Sequence, residues 1–538
     1  VKNTDVFDQY DMVVSLTQKT INDQLLSLTK SGIVHQNLII YQSWDINGNS
    51  ISKIAESLDE IPRTDGKISA SYIDGELIPS IEITSSGSTV QFNLRFRGGT
   101  AHFWSGFGPA ATLKSYPMAG WICPIDVNLD LAALKKIDGA NVPRIVQDQL
   151  AHFDPSMFSV NHLFMDFDSA NLYADAAACS VNGQPDEIKQ QFSEFMGDYL
   201  SIFTTEGTAA GKAANPFILG YVPTATSSAS IADSKVPPLL RPIGTTFTVY
   251  HDPNHADLSN INFVLATRGG VDGIQASPGI FDSNWIGPSD QCDGKMIYSH
   301  KVLVEPLLLK PLYDTIKDDL YNAVSGKLSV SQNNSYDQGR SLSDGIFTFR
   351  ISNVDTGDDQ YVNTFQADLP ARGAAPTIAI TNGSIYIYKH VSKSEWPEDA
   401  TAWANATTKW HGSISITASK DKSGNPTLLP QMSYTLDSQH TDHGENGEAK
   451  FLEIIGKILG GFLDSLVPFD NNFFSNLFKS LLSIDVPDLG SPAQAMSNIG
   501  KSIDGALILP GGQTFFFKDP AIDQDANLSL LLTYKTEN

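Results

Sequence analysis

A strand that runs directly into a helix, in the middle of a chain otherwise rich in β-patterning, constrains this protein more than any other feature. Lys295 to Val304 is a strand-like run that passes through Glu305-Pro306 into Pro311 with little punctuation. From there Leu312, Ile316, Leu320 and Ala323 recur on one helical face, and Lys317, Asp318 and Asp319 occupy the other. Pro311 suits a first helical turn, where its missing N–H would have no partner anyway. Gly326 stands where a left-handed residue closes a helix. The simplest physical solution is a sheet wrapped around that helix.

The rest of the chain repeats the theme. Tyr10, Val13, Val14, Thr17, Ile21, Leu25 and Leu28 fit a first long helix over 8–31, with Asp8 or Asp11 as its cap and Gly32 at its end. A β-rich block follows, in which 67–73 turns at Asp74-Gly75 into 76–83, a hairpin signal. Val90, Phe92, Leu94 and Phe96 then alternate with Gln91, Asn93, Arg95 and Arg97, which describes a strand with one wet face. Another alternating run spans 125–131. A second amphipathic helix is expected over 186–203, from Ile188, Phe192, Phe195, Met196, Tyr199 and Phe203.

Residues 206–242, rich in Gly, Ala, Ser, Thr and Pro, read as a long connection. Strands are expected at 245–250, 261–267, 345–352, 377–381, 384–390, 412–419 and 431–436, with a polar loop at 438–448. The most apolar segment is 449–484. There Phe451, Ile455 and Phe462 form a broad stripe before Pro468, and Phe474 and Phe478 continue it in a second short helix. Burial under a sheet is the plain reading of such a stripe; a face that meets membrane or a partner is the sharper one. Strands at 513–518 and 528–534 close the chain.

At 538 residues the chain exceeds one ordinary core, so two or more domains are expected. Its 41% hydrophobic and 18% charged residues are globular proportions. A formal net charge of −24 makes nucleic acid a poor partner and disfavours indiscriminate adsorption to anionic membranes. Cys123, Cys179 and Cys292 lie far apart in sequence and signal neither a disulfide framework nor a zinc site. No leader peptide is visible, and no apolar run reaches the 18 or so residues of a membrane span. The localisation reading is therefore a soluble protein, secretion or release remaining compatible with it.

No stretch assembles a nucleophile, base and orienter, so the chain reads as non-enzymatic and without a cofactor. Asp45, Asn47, Asn49 and Glu56 resemble calcium-loop ligands, but Ser50 stands where that loop needs Gly. Gly106-Phe107-Gly108-Pro109-Ala110-Ala111 mimics a dinucleotide fingerprint without its strand-to-helix context. Two histidine pairs, His251/His255 and His440/His443, read as loop residues rather than metal ligands.

Four patches carry a resemblance to a known group: 10–14, 259–267, 294–299, and 511–518 with the run to Tyr534. Together with the order helix–sheet, helix–sheet, returning end, they resemble the tubular lipid-binding (TULIP) superfamily. Within it they are most similar to the forty-seven-kilodalton accessory family of clostridial neurotoxin gene clusters. The resemblance implies an elongated α+β fold, with long amphipathic helices wrapped by strongly curved antiparallel sheets in two pseudo-repeated halves. The expected units are an N-terminal half (1–292), a second helix-plus-sheet half (293–447), and C-terminal helices with returning strands (448–538).

The function it implies is binding of a lipid or other hydrophobic molecule, or association with a membrane surface. The expected lining is Val14, Ile21 and Leu25 on the first helix, Leu312, Ile316 and Leu320 on the second, and Phe92 and Phe96 from the facing sheet. The alternatives are a toxin-complex component that binds proteins and has a filled interior, and an enzyme built on the same cavity.

Overall fold

The computed structural model describes residues 1–3, 5–44, 47, 50–106, 110–134, 142–151, 158–172, 176–204, 215–225, 242–267, 278–302, 334–341, 346–354, 359–370, 377–391, 400–420, 426–446, 507–511, 515–523 and 527–534; within 334–446 it is mainly the backbone that is described.

The first of its sheets is organised on Met12–Thr17, a strand with every residue buried. It pairs antiparallel with Asn260–Ala266 on one side and Gly294–Tyr298 on the other. Gly244–Tyr250 extends the sheet beyond the former; Leu528–Tyr534 and then Phe515–Ile522 extend it beyond the latter. The sheet thus draws strands from all three units expected from sequence.

The helix expected from Asp8 is corrected accordingly, and Val14 lies on a strand. The 3–4 spacing of Tyr10, Val13 and Val14 is real, but β-branched side chains favour extended backbone. A strand covered on both faces also lacks the alternate polar residues that would reveal its period. Met12, Val14 and Leu16 face the main core, while Val13 joins Val6, Phe7 and Tyr10 in a separate cluster.

Helix α1 (Gln18–Lys30) starts where the Thr17 hydroxyl accepts from the Thr20 N–H at 3.2 Å. Asp11 is no cap: its carboxylate accepts from the Thr267 N–H at 2.7 Å. Gly32, at φ +76°, ends the helix as its position suggests. Thr17→Ala is expected to cost about 0.5–2 kcal/mol through loss of the cap, read as a lower urea midpoint.

The second sheet has eight strands. Seven run in the order Ile218–Ala225, Phe158–Asp166, Ile122–Ala133, Thr89–Ser105, Tyr72–Glu82, Asn37–Trp44, Ser50–Ala55, and Thr112–Pro117 pairs with the far half of Thr89–Ser105. The expected hairpin at Asp74-Gly75 is corrected: Tyr72–Glu82 passes through it unbroken. Instead the register with Thr89–Ser105 shifts between Glu76 and Leu77, a bulge that bends the sheet.

The glycines there permit a close approach of the two backbones. A Cβ on Gly99, whose φ is +110°, would lie 2.3 Å from the Asp74 carbonyl oxygen. Gly99→Ala is therefore expected to destabilise by about 1–3 kcal/mol of backbone strain, with the contact adding to it; thermal unfolding measures the loss. Val90, Phe92, Leu94 and Phe96 are buried on one face, and Ile125, Val127 and Leu129 continue that face on the next strand.

The third sheet is a meander in chain order: Asn334–Ser341, Ile346–Val354, Asp359–Pro370, Thr377–Val391, Ala400–Lys420, Pro426–Asn446. The two short strands expected at 377–381 and 384–390 are one strand with a register shift between Thr381 and Gly383. The polar loop expected at 438–448 is strand as far as Asn446, because its long partner pairs it throughout. Within 206–242, Ile218–Ala225 is strand. The run expected to reach Val304 stops at Tyr298, and Val302 turns back to donate to the Ser299 carbonyl. The organising helix with Leu312, Ile316 and Leu320, and the stripe with Phe451, Ile455, Phe462, Phe474 and Phe478, lie outside the described residues.

Candidate functional site

The concave face of the eight-stranded sheet and the inner face of the first sheet share one continuous apolar interior. One hydrogen-bonded junction ties the curled sheet to the first sheet, and a second extends the curled sheet's edge. Gly87 and Val249 exchange backbone bonds of 2.9 and 2.7 Å, and Tyr221 and Ile508 do so at 2.7 and 2.8 Å. The second junction adds the segment around Ile508 to the edge of Ile218–Ala225.

Helix α1 closes the interior by replacing strand partners with side-chain amides. Asn37–Trp44 pairs only with the first part of Tyr72–Glu82, leaving an edge around Ile81. Asn22 covers it: its Nδ2 donates to the Ile81 carbonyl at 3.0 Å, and its Oδ1 accepts from the Ile81 N–H at 2.7 Å. Gln18 accepts from the Ile83 N–H at 2.7 Å. On the other flank, Gln24 accepts from the Gly511 N–H at 2.8 Å. Ile21, Leu25 and Leu28 are thereby turned into the interior.

The short helix α2 (Arg144–Leu150) anchors a satellite cluster with Val160, Ile218, Tyr221 and Ile508. The longer helix α3 (Asp186–Ser201) fills the far end of the curl, against strands Ser50–Ala55, Thr89–Ser105 and Ile122–Ala133. Its aromatic side chains meet rings of the wall. Phe192 packs edge-on to Trp121 and Phe96, at centroid separations of 5.1 and 5.8 Å, and Phe195 lies 5.3 Å from Phe103. From Tyr199 a chain of ring contacts runs through Phe203 and Phe217 to Phe92, with Phe167 alongside. Such edge-to-face geometries add stabilisation beyond area burial.

Of the residues expected from sequence, Val14, Ile21, Leu25, Phe92 and Phe96 are brought together in this interior, each 2% exposed or less. Trp121 and Tyr199 were not singled out by sequence as site residues. Each is fully buried among apolar neighbours, and neither Trp121 Nε1 nor Tyr199 Oη has a hydrogen-bond partner among the described residues. Burial pushes the Tyr199 phenol well above its ordinary value, so the group stands as a neutral donor. Phe192, which touches Trp121, and Tyr199 are two turns apart on α3, about 10 Å at 1.5 Å per residue.

The first histidine pair makes contacts within the fold. His251 Nδ1 lies 2.9 Å from the Ile83 carbonyl oxygen, and His255 Nδ1 lies 3.7 Å from Asp252. His440 and His443 are on the strand Pro426–Asn446 rather than in a loop. Among the described residues no group of three or more His, Cys, Asp or Glu is arranged to hold a metal ion, and no helix is long and apolar enough to cross a membrane.

No family model and no curated protein matches the chain. Among solved structures it is similar to P47 of Clostridium botulinum E1, at 10% identity and a TM-score of 0.45, over 98% of this chain and 99% of that one. It is also similar to a lipopolysaccharide binding protein, at 11% identity and a TM-score of 0.29, over 98% of this chain and 100% of that one. With both TM-scores below 0.5, neither likeness bears on function.

Proposed function

We propose that this protein is a non-enzymatic binder of a lipid or comparable hydrophobic molecule, accommodated along the interior between α3 and the curled sheet. The observation that carries the reading is that Trp121 Nε1–H and Tyr199 Oη–H, inside an apolar enclosure, have no acceptor among the described residues. A buried donor without an acceptor costs about 1–3 kcal/mol, and native proteins rarely leave one so. A fatty acid or ester brings both what the walls favour and what these donors lack, an alkyl chain and acceptor oxygens. An acyl chain of about sixteen carbons gains roughly 12 kcal/mol on burial, against an association cost of about 4–15 kcal/mol. Apolar burial therefore supplies measurable affinity without a charged anchor. Rings along α3 must give way to admit the chain.

Tyr199→Phe tests this because it removes the hydroxyl and keeps the ring. Apo stability is expected to hold or rise, while retention of a fatty-acid probe falls about 5–10-fold, the equivalent of roughly 1–1.5 kcal/mol. Native mass spectrometry and lipid extraction of the purified chain supply the direct reading. Unchanged probe affinity in the variant, with no apolar molecule copurifying, sinks the proposal.

A second reading has a specific observation behind it. The ring-to-ring packing from Tyr199 to Phe92 fills its own space, and Trp44 (66%) and Trp104 (39%) are exposed. A protein-interaction component, whose surface aromatics meet a partner such as another member of a toxin complex, fits that pattern. Loss of partner binding in Trp44→Ser with Trp104→Ser, and no effect of Tyr199→Phe on any ligand, identifies it.

A further inference from the structure

We propose that Cys123 and Cys179 form a disulfide, a cross-link that ties the entry of α3 to the wall of the curled sheet. The two residues are distant in sequence, but their sulfurs lie 3.2 Å apart, both side chains buried in the main core. The backbone beneath them suits a bridge. Ile122 and Ser180 exchange both of their N–H···O=C bonds, at 3.0 and 2.9 Å, as an antiparallel pair. Cys123 and Cys179 are the residues next to that isolated pair, so the two backbones are held close where the sulfurs meet. Closing the sulfurs to about 2.05 Å needs side-chain rotation rather than movement of the strands.

The oxidant is a low-molecular-weight disulfide. One cysteine thiolate attacks it and releases one small thiol, leaving a mixed disulfide on the protein. The second cysteine then attacks the protein-side sulfur and releases the other small thiol, so two protein thiols and one small disulfide become one protein disulfide and two small thiols. The contact with Cys179 and the apolar surroundings hold the Cys123 thiol high, which keeps it protonated and slow in the folded state. Oxidation accordingly proceeds while the chain folds. Cys292, on a half-buried loop, is left out; burial pushes its thiol up to about 11.

The bridge closes a loop containing Phe158–Asp166 and most of the eight-stranded sheet's third strand from one edge, and it pins the segment that leads into α3. Its consequence is independent of what the interior holds: α3 is retained when the bridge is closed, and its lead-in is free to peel away when the bridge is open.

The test is refolding of the full-length chain from urea in a glutathione redox pair, followed by alkylation and peptide mapping. The expected result is one linked peptide pair containing Cys123 and Cys179, alkylation at Cys292 only, and a melting temperature on the order of 5 °C above that of the reduced protein. Cys123→Ala and Cys179→Ala should each abolish that difference, and Cys292→Ala should leave it intact. If either variant fails to refold, the linkage map of the unmodified chain still decides. Three alkylated cysteines after refolding, or a linkage that includes Cys292, overturns the proposal.

Discussion

Phe92→Ala is expected to destabilise the protein by about 3–5 kcal/mol, the usual cost of emptying a fully buried aromatic site. The ring is inaccessible to solvent and touches Phe217 and Phe167, at centroid separations of 5.0 and 5.9 Å. Those rings in turn meet Phe203, so the deletion removes the hub of a connected set. Phe92→Leu keeps most of the volume and should cost less than half as much. Urea unfolding followed by near-ultraviolet circular dichroism measures both. The experiment also separates two roles for the same side chain. If the alanine variant keeps its stability but loses a bound lipid, the ring lines a ligand space. If it loses stability first, Phe92 is core.

The second large effect concerns polar atoms. Asn22→Ala removes both hydrogen bonds to Ile81, stranding an N–H and a C=O on a residue that is 2% exposed. Each buried group left without a partner costs about 1–3 kcal/mol, so a loss of about 2–6 kcal/mol is expected. Asn22→Asp keeps the acceptor for the Ile81 N–H and loses the donor, and should fall between. Amide hydrogen exchange at Ile81 is the specific readout. It should accelerate sharply in the alanine variant and only slightly in the aspartate variant.

Much of the fold was legible where burial is one-sided. Thr89–Arg97 alternates, and α3 carries its apolar residues at helical spacing, so each period survives in the residue order. The run 10–17 misleads for the opposite reason. Covered on both faces, it has no polar phase, and its valines satisfy a helical template by coincidence. Asp74-Gly75 reads as a turn because those residue types favour turns, yet here the glycine leaves room for the Phe96 ring, a tertiary demand with no local signature. The candidate interior was half visible. Ile21, Leu25, Phe92 and Phe96 follow from periodicity, whereas Trp121 and Tyr199 matter because a single atom on each lacks a partner. Only the assembled neighbours, here the described residues, reveal that. The thiol pair is the same kind of fact, since spacing in sequence says nothing of two segments laid side by side.

The arrangement of the first sheet bears on how the molecule comes into being. Met12–Thr17 finds Gly294–Tyr298 only after the whole curled sheet has been synthesised, and the outer edge of Gly294–Tyr298 is covered by Leu528–Tyr534, much later again in the sequence. A ribosome-bound chain therefore carries an unsatisfied, apolar strand edge while the residues between these strands are made. Contacts so distant in sequence make for slow assembly and a long interval of exposure to aggregation.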